Sequence, residues 1–282
     1  MTWNFASIHE TMDIGRHYGY DFPESIKFDY RKFKNTRDTV TKRLNGTYER
    51  NWAREGIDLV HGRAHFVEPM VIEIQQEGGT VTRCTAPHIL IATGGRPNIP
   101  QVPGAEYGIT SDGFFEMEDF PTKFAVAGAG YIAVELAGML NAVNVETHMF
   151  IRGDDFLRKF DPMIQKTMAD RYEAAGVHIH RHHAGFKEIK LIRDGKGKDR
   201  LIKLINKDGS EFEVNELLWA IGRVPEVEDL DLDIAGVKLN VSGHIVVDEY
   251  QNTSVNGIYA LGDVTGQAEL TPGMFHWHSH RG

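Results

Sequence analysis

Residues 123–138 read KFAVAGAGYIAVELAG, and no other stretch restricts what this chain can fold into so tightly. Phe124-Ala125-Val126-Ala127 is an unbroken apolar run, the composition of a parallel strand buried on both faces. Gly128-Ala129-Gly130 follows as a tight turn that lets backbone N–H groups approach a pyrophosphate, and Ala133 takes the third small position, where the next helix packs on the strand. Ile132, Val134, Leu136 and Ala137 continue in helix-compatible fashion. A helix starting there turns its N–H groups and the positive end of its dipole toward an anion. The alternative, an incidental glycine-rich turn, explains neither the strand before nor the helix after. The pattern predicts an α/β fold with a dinucleotide site at Gly128, Gly130, Ile132 and Ala133.

The next strand, 145–151, selects the dinucleotide. At its end an NAD site carries an acid for the ribose 2′-hydroxyl, but here Ile151 stands, followed by Arg152 and Arg158. Two guanidinium groups suit a 2′-phosphate, at about 1.5–3 kcal/mol for each charged hydrogen bond. Two solvated arginines are the plainer reading; the absent acid favours NADPH.

Composition narrows the remaining classes. With 31 Lys+Arg against 40 Asp+Glu the net charge is −9, which argues against nucleic-acid binding, so any anion site must be local. Hydrophobic residues make up 41% and charged residues 25%, as expected of a soluble globular protein. No apolar stretch reaches transmembrane length, and no membrane partner is expected. The single cysteine, Cys84, excludes an internal disulfide framework and suits a reducing compartment, the cytoplasm or the mitochondrial matrix.

Along the chain, residues 28–52 predict a long amphipathic helix with Phe33, Val40, Leu44, Tyr48 and Trp52 on one stripe and Gly56 as its stop. On this periodicity Tyr48 belongs to the packed face. Segments 57–60, 63–67, 70–75 and 81–84 read as an antiparallel meander turning at Gly78-Gly79. Residues 88–92 read as a continuous buried strand that breaks at Gly94-Gly95-Arg96-Pro97. A helix over 163–176, a strand over 177–180 and a second meander (188–191, 201–205, 211–214) lead to the strand 217–221, which breaks at Gly222-Arg223-Val224-Pro225. The chain thus holds two copies of one ending: a meander, an apolar strand and a Gly-Arg-Pro-like break. The glycine-turn βαβ unit precedes only the second.

Several motifs are specific: ILIATGGRP (89–97), SDGFF (111–115), AGAGYIAVELAG (127–138), WAIGR (219–223), TSVNGIYALGD (253–263) and ELTP (269–272). Together they resemble the flavin-dependent disulfide reductases of the glutathione reductase type, from Thr2 to Pro272. That resemblance implies an NADPH domain (121–225) inserted in an FAD-binding domain represented by 1–92 and a return segment at 226–272. A connection spans 93–120, and 273–282 form a divergent tail. It implies FAD contacts at Ala64, Ser111, Phe115, Asp263 and Thr271, and NADPH-side contacts at Gly222 and Arg223. Tyr131 corresponds to the ring that covers the flavin and yields to nicotinamide, Glu135 to a carboxylate paired with a lysine beside the flavin, and Tyr48 to a tyrosine of the disulfide pocket. In the family NADPH reduces FAD, then a cysteine pair, then oxidised glutathione, in a homodimer.

Departures accompany the likeness. The Cys-x-x-x-x-Cys pair, its following lysine, the first glycine turn and the dimerisation domain with its His-Glu pair have no counterpart in these 282 residues. The expectation is an incomplete member, inactive alone and with FAD weakly held or absent. A non-enzymatic NADPH-binding fragment and a trypanothione-type reductase are the alternatives; Ile151 disfavours the NAD-dependent dihydrolipoamide branch. Cys84, in a meander strand, reads as inert packing. His178, His180 and His182 alternate along a strand, and His276, His278 and His280 repeat the spacing. With no cysteine or carboxylate in register, the reading is a solvated face with no metal.

Overall fold

The computed structural model describes residues 1–23 and 28–267. They form two compact units, one of Met1–Gly46 with Pro97–Gly222, the other of Thr47–Arg96 with the segment that starts at Arg223.

The first unit is built on a four-stranded parallel sheet in the order β12-β6-β7-β8. Its strands are β6 (Lys123–Ala127), β7 (Glu146–Phe150), β8 (His178–His180) and β12 (Glu216–Trp219). Helix α4 (Tyr131–Ala142) links β6 to β7, and α5 (Pro162–Ala174) links β7 to β8. Asp161 starts α5: its carboxylate accepts from Met163 N at 2.8 Å. Alternation along β6 sorts its side chains between two cores. Phe124 and Val126 pack among Val134, Ala137 and Leu140 of α4. Ala125 and Ala127 face the antiparallel sheet of β9 (Phe186–Arg193), β10 (Leu201–Asn206) and β11 (Glu211–Val214), in the order β11-β10-β9. All four are at most 5% exposed, so the apolar run marks a strand covered on both faces.

Two further helices, α1 (Thr2–His17) and α3 (Ser111–Glu116), belong to this unit. Phe5 and Ala6 of α1 join the core of α4, a contribution the sequence reading passed over. Helix α2 (Tyr30–Arg54) forms where expected, and its end is a glycine cap. Gly56, at φ +71, donates to Ala53 O while Ile57 N donates to Trp52 O at 2.9 Å, the two bonds of a Schellman ending.

The second unit holds an antiparallel sheet, β1 (Arg63–Glu68), β2 (Val71–Gln75) and β3 (Val81–Thr85), turning at Gly78 and Gly79, both at φ +85. The expected strand at 57–60 is absent: Ile57 N is spent on the helix cap, β1 pairs only with β2, and Ile57, Leu59 and Val60 are exposed. Strand β4 (Ile89–Ile91) pairs in parallel with β14 (Ile258–Ala260). Ile89 and Ile91 are buried with Phe66, Ile258 and Leu232 of the short α6 (Leu232–Ala235), but Leu90 is 55% exposed, so this strand is covered on one face, not two. The two Gly-Arg-Pro-like breaks become partners, β5 (Gly95–Pro97) pairing with β13 (Arg223–Pro225). Among the described residues no helix is long and apolar enough to cross a membrane.

Candidate functional site

The glycine turn sits at the C-terminal end of β6. Gly128, at φ +141, donates its N–H to Phe150 O at 3.1 Å. A Cβ there would lie 2.1 Å from Ala220 O, so backbone packing alone demands glycine. Gly130 is different. It is the N-cap of α4 in an extended conformation, and a Cβ on it would meet nothing within 4 Å. The protein does not need glycine at 130 for its own packing; the room lies in front of a helix N-terminus whose first turn carries no acid. Val134 N makes the bond to Gly130 O at 3.0 Å, so the N–H groups of 131–133 stand ahead of the helical ladder. Ala133 is fully buried against the sheet, Ile132 is half-buried, and the Tyr131 ring is 45% exposed beside the turn. Glu135 is exposed on α4 and has no ion pair among the described residues.

Beyond β7, Arg152 and Arg158 are both exposed, and among the described residues neither is held in an ion pair. The loop between them is tied to the glycine turn: Leu157 N donates to Ala129 O at 2.8 Å, and Phe156 is fully buried. Arg158 therefore leaves the backbone beside that bond, a placement no sequence spacing indicates. Ile151 lies in the core at 1% exposure, its N–H on His180 O, so its side chain does not line an open adenosine-side surface.

Sequence reasoning missed Tyr172. From α5 its hydroxyl donates to Val134 O at 2.8 Å, and a Cβ on Gly138 would lie 2.5 Å from that oxygen. The last glycine of the motif thus lets α5 reach the helix that carries the site. Burial, aided by Glu135, pushes the Tyr172 hydroxyl up to about 12.

The residues expected on the flavin side fall in both units. Ser111 opens α3 and Phe115 ends on its exposed side, where the Arg37 guanidinium lies 5.8 Å from its ring centre. Gly222, at φ +129, accepts from Asn98 N at 2.9 Å. In the second unit Arg223 donates to Gly95 O and its Nε lies 3.9 Å from Asp263 Oδ2. Ala64 is exposed on β1, paired across the ladder with Ile74. Thr271 falls outside the described residues, as do His276, His278 and His280. Tyr48 is 57% exposed and stacked near Trp52 at 6.3 Å, so its stripe on α2 is not a packed face there. Cys84 is exposed on β3 and is not core packing.

Of the histidines read as a solvated face, His178 and His182 are exposed and His180 is half-buried, while His148 of the neighbouring strand lies beneath them. His148 of β7 is 6% exposed, stacked on His178 at 4.5 Å, and its Nδ1 lies 3.0 Å from His180 Nε2. His180 stacks on Phe150 at 4.3 Å.

A family model described as pyridine nucleotide-disulphide oxidoreductase matches residues 9–278. The chain belongs to the pyridine nucleotide-disulphide oxidoreductase family. Within it, the chain is similar to the glutathione reductase of Schizosaccharomyces pombe, 44% identical over 272 residues, covering 96% of this chain and 58% of the relative. The glutathione reductase of Yarrowia lipolytica is 42% identical over 280 residues with the same coverage. The chain therefore spans somewhat over half the length of these curated relatives. Among solved structures, the HOCl-induced flavoprotein disulfide reductase RclA from Escherichia coli superposes with a TM-score of 0.81 at 25% identity, covering 89% of this chain and 56% of that one. A Cu(II) complex of RclA superposes at 0.84 with 23% identity over 99% of this chain and 58% of that one, a likeness of fold.

Proposed function

We propose that the first unit binds NADPH and that the chain serves an NADPH-dependent glutathione-disulfide reductase. The observation that carries the nucleotide reading is Gly130, a glycine with open space before a helix N-terminus, beside a loop bonded to the same turn that ends on the exposed Arg158, with the exposed Arg152 at its start. Gly128, Gly130 and the helix start would hold the pyrophosphate, with Ile132 and Ala133 seating the helix on the sheet. Arg152 and Arg158 would take the 2′-phosphate. Bound NADPH supplies a hydride equivalent. The Tyr131 ring would cover the site and yield to another flat ring, and Glu135 would hold charge on the solvent side of α4. Identity of 42–44% with glutathione reductases supports the substrate class, oxidised glutathione, and FAD as the second cofactor. On that reading residues 121–225 form an NADPH domain inserted in an FAD-binding one, where Gly222 and Arg223 approach the nicotinamide side. Ala64, Ser111, Phe115, Asp263 and Thr271 would face the flavin, and Tyr48 the disulfide.

One cysteine cannot both attack and resolve a disulfide, so a polypeptide of these 282 residues should bind NADPH without consuming it on addition of oxidised glutathione. Titration calorimetry with NADPH and NADH tests the nucleotide reading. Replacing Arg152 or Arg158 by Ala should weaken NADPH by about 1.5–3 kcal/mol and leave NADH nearly unchanged. Equal weakening of both nucleotides would show that the arginines support the fold and do not read the phosphate.

A further inference from the structure

Glu146, His148 and His178 lie at one end of the parallel sheet, away from the glycine turn, and nothing above uses them. Their ligand atoms all fall within 4.8 Å of one another. Sheet geometry places them there. Glu146 and His148 are two apart on β7 and share a face, and His148 is the register partner of His178 on the adjacent strand. Strand β8 is the edge of the sheet and leaves His178 exposed, Glu146 is exposed as the first residue of β7, and His148 is buried beneath them.

We propose that these three side chains form a site for a divalent transition-metal ion of the zinc class. Two imidazoles and a carboxylate are a zinc-type donor set with a fourth position left for water. The buried member is already oriented: His148 Nε2 lies 2.9 Å from Glu146 Oε1 and its Nδ1 lies 3.0 Å from His180 Nε2. The Phe212 ring braces it edge-on at 4.6 Å. A ligating histidine ordinarily fixes its ring through a hydrogen bond at its other nitrogen, and His180 supplies that partner. Metal–nitrogen bonds of about 2.0–2.1 Å require donors roughly 3.3–3.5 Å apart, so the exposed His178 ring must swing from its stack on His148 into the metal plane. The competitor for Glu146 is Lys123, whose Nζ sits 3.1 Å from Glu146 Oε1 and 4.3 Å from the Phe212 ring centre.

The test is calorimetry with Zn²⁺ on the full chain. The background carries His276, His278 and His280 replaced by Ala, which removes the sequence's other closely spaced histidine run. One equivalent should bind at micromolar affinity. His178→Ala and Glu146→Gln, both at exposed positions, should each lower affinity at least tenfold, and Lys123→Met should raise it several-fold by releasing Glu146. Zinc should also raise the melting temperature, and that rise should vanish in His178→Ala. Circular dichroism of the zinc-free variants shows whether they fold. Affinity unchanged in folded His178→Ala and Glu146→Gln, or loss of all binding in the tail background alone, overturns the proposal.

Discussion

The Tyr172 hydroxyl donates to the Val134 carbonyl at 2.8 Å, directly above Gly138. Helix α5 thereby touches the helix that carries the glycine turn at the one position where α4 has no side chain. Alanine would ordinarily stabilise a helix interior by about 1 kcal/mol over glycine. Here its Cβ would meet the Tyr172 oxygen at 2.5 Å, so Gly138→Ala should lose about 1–2 kcal/mol net. In a Tyr172→Phe background the nearest atom is ring carbon at 3.3 Å, and the same change should be neutral or stabilising. Urea unfolding of the four proteins in this cycle measures the coupling; additive effects would mean the two helices do not meet as described.

The same hydroxyl sets an alkaline limit. Its folded pKa of about 12 exceeds the ordinary tyrosine value of 10.0, so the folded state holds the proton more tightly than the unfolded one. The resulting stability is fully present below pH 10 and is lost as pH rises from 10 through 12. Two pKa units correspond to nearly 3 kcal/mol; partial exposure reduces the expected loss to about 1–2 kcal/mol. The difference in stability between wild type and Tyr172→Phe, followed across that window, reads this group alone. A constant difference would refute it.

Gly128 and Gly130 should separate fold from ligand. Gly128→Ala forces a Cβ to 2.1 Å from Ala220 O at φ +141 and should cost about 2–4 kcal/mol of stability. Gly130→Ala meets nothing and should leave the melting temperature within a degree or two, while NADPH affinity falls at least tenfold. Thermal melts and nucleotide titration on both variants decide the matter. Undiminished NADPH binding by Gly130→Ala would remove the main support for the nucleotide reading.

Switching nucleotide preference at Ile151 is blocked by packing. Ile151→Glu would put a carboxylate among Phe124, Met149 and Val177, at a cost of about 3–5 kcal/mol. Loss of cooperative unfolding or a sharply lower melting temperature is the expected result. A stable variant that prefers NADH would show that residue 151 can turn outward.

Local sequence announced whatever obeys a short-range rule. The run 124–127, the glycine turn, the end of α2 at Gly56 and the hairpin at Gly78-Gly79 were legible because each depends on period, φ or chain reversal within a few residues. The strand expected at 57–60 failed for want of a partner, which no local pattern reveals. Buried and exposed were misjudged at Leu90, Cys84 and Tyr48, because an apolar or stripe-forming residue is covered only when some other segment arrives to cover it.

The sequence by itself determined the α/β class, the position of the glycine turn and the arginines that follow the second strand. Tertiary structure alone decided that Arg158 is anchored to that turn through Leu157 and Ala129, and that Ile151 points into the core. It also paired the two Gly-Arg-Pro-like breaks and set His148 beside His178 and Glu146. The reason is distance along the chain: His148 and His178 are thirty residues apart, and strand register, not spacing in sequence, brings such residues within reach.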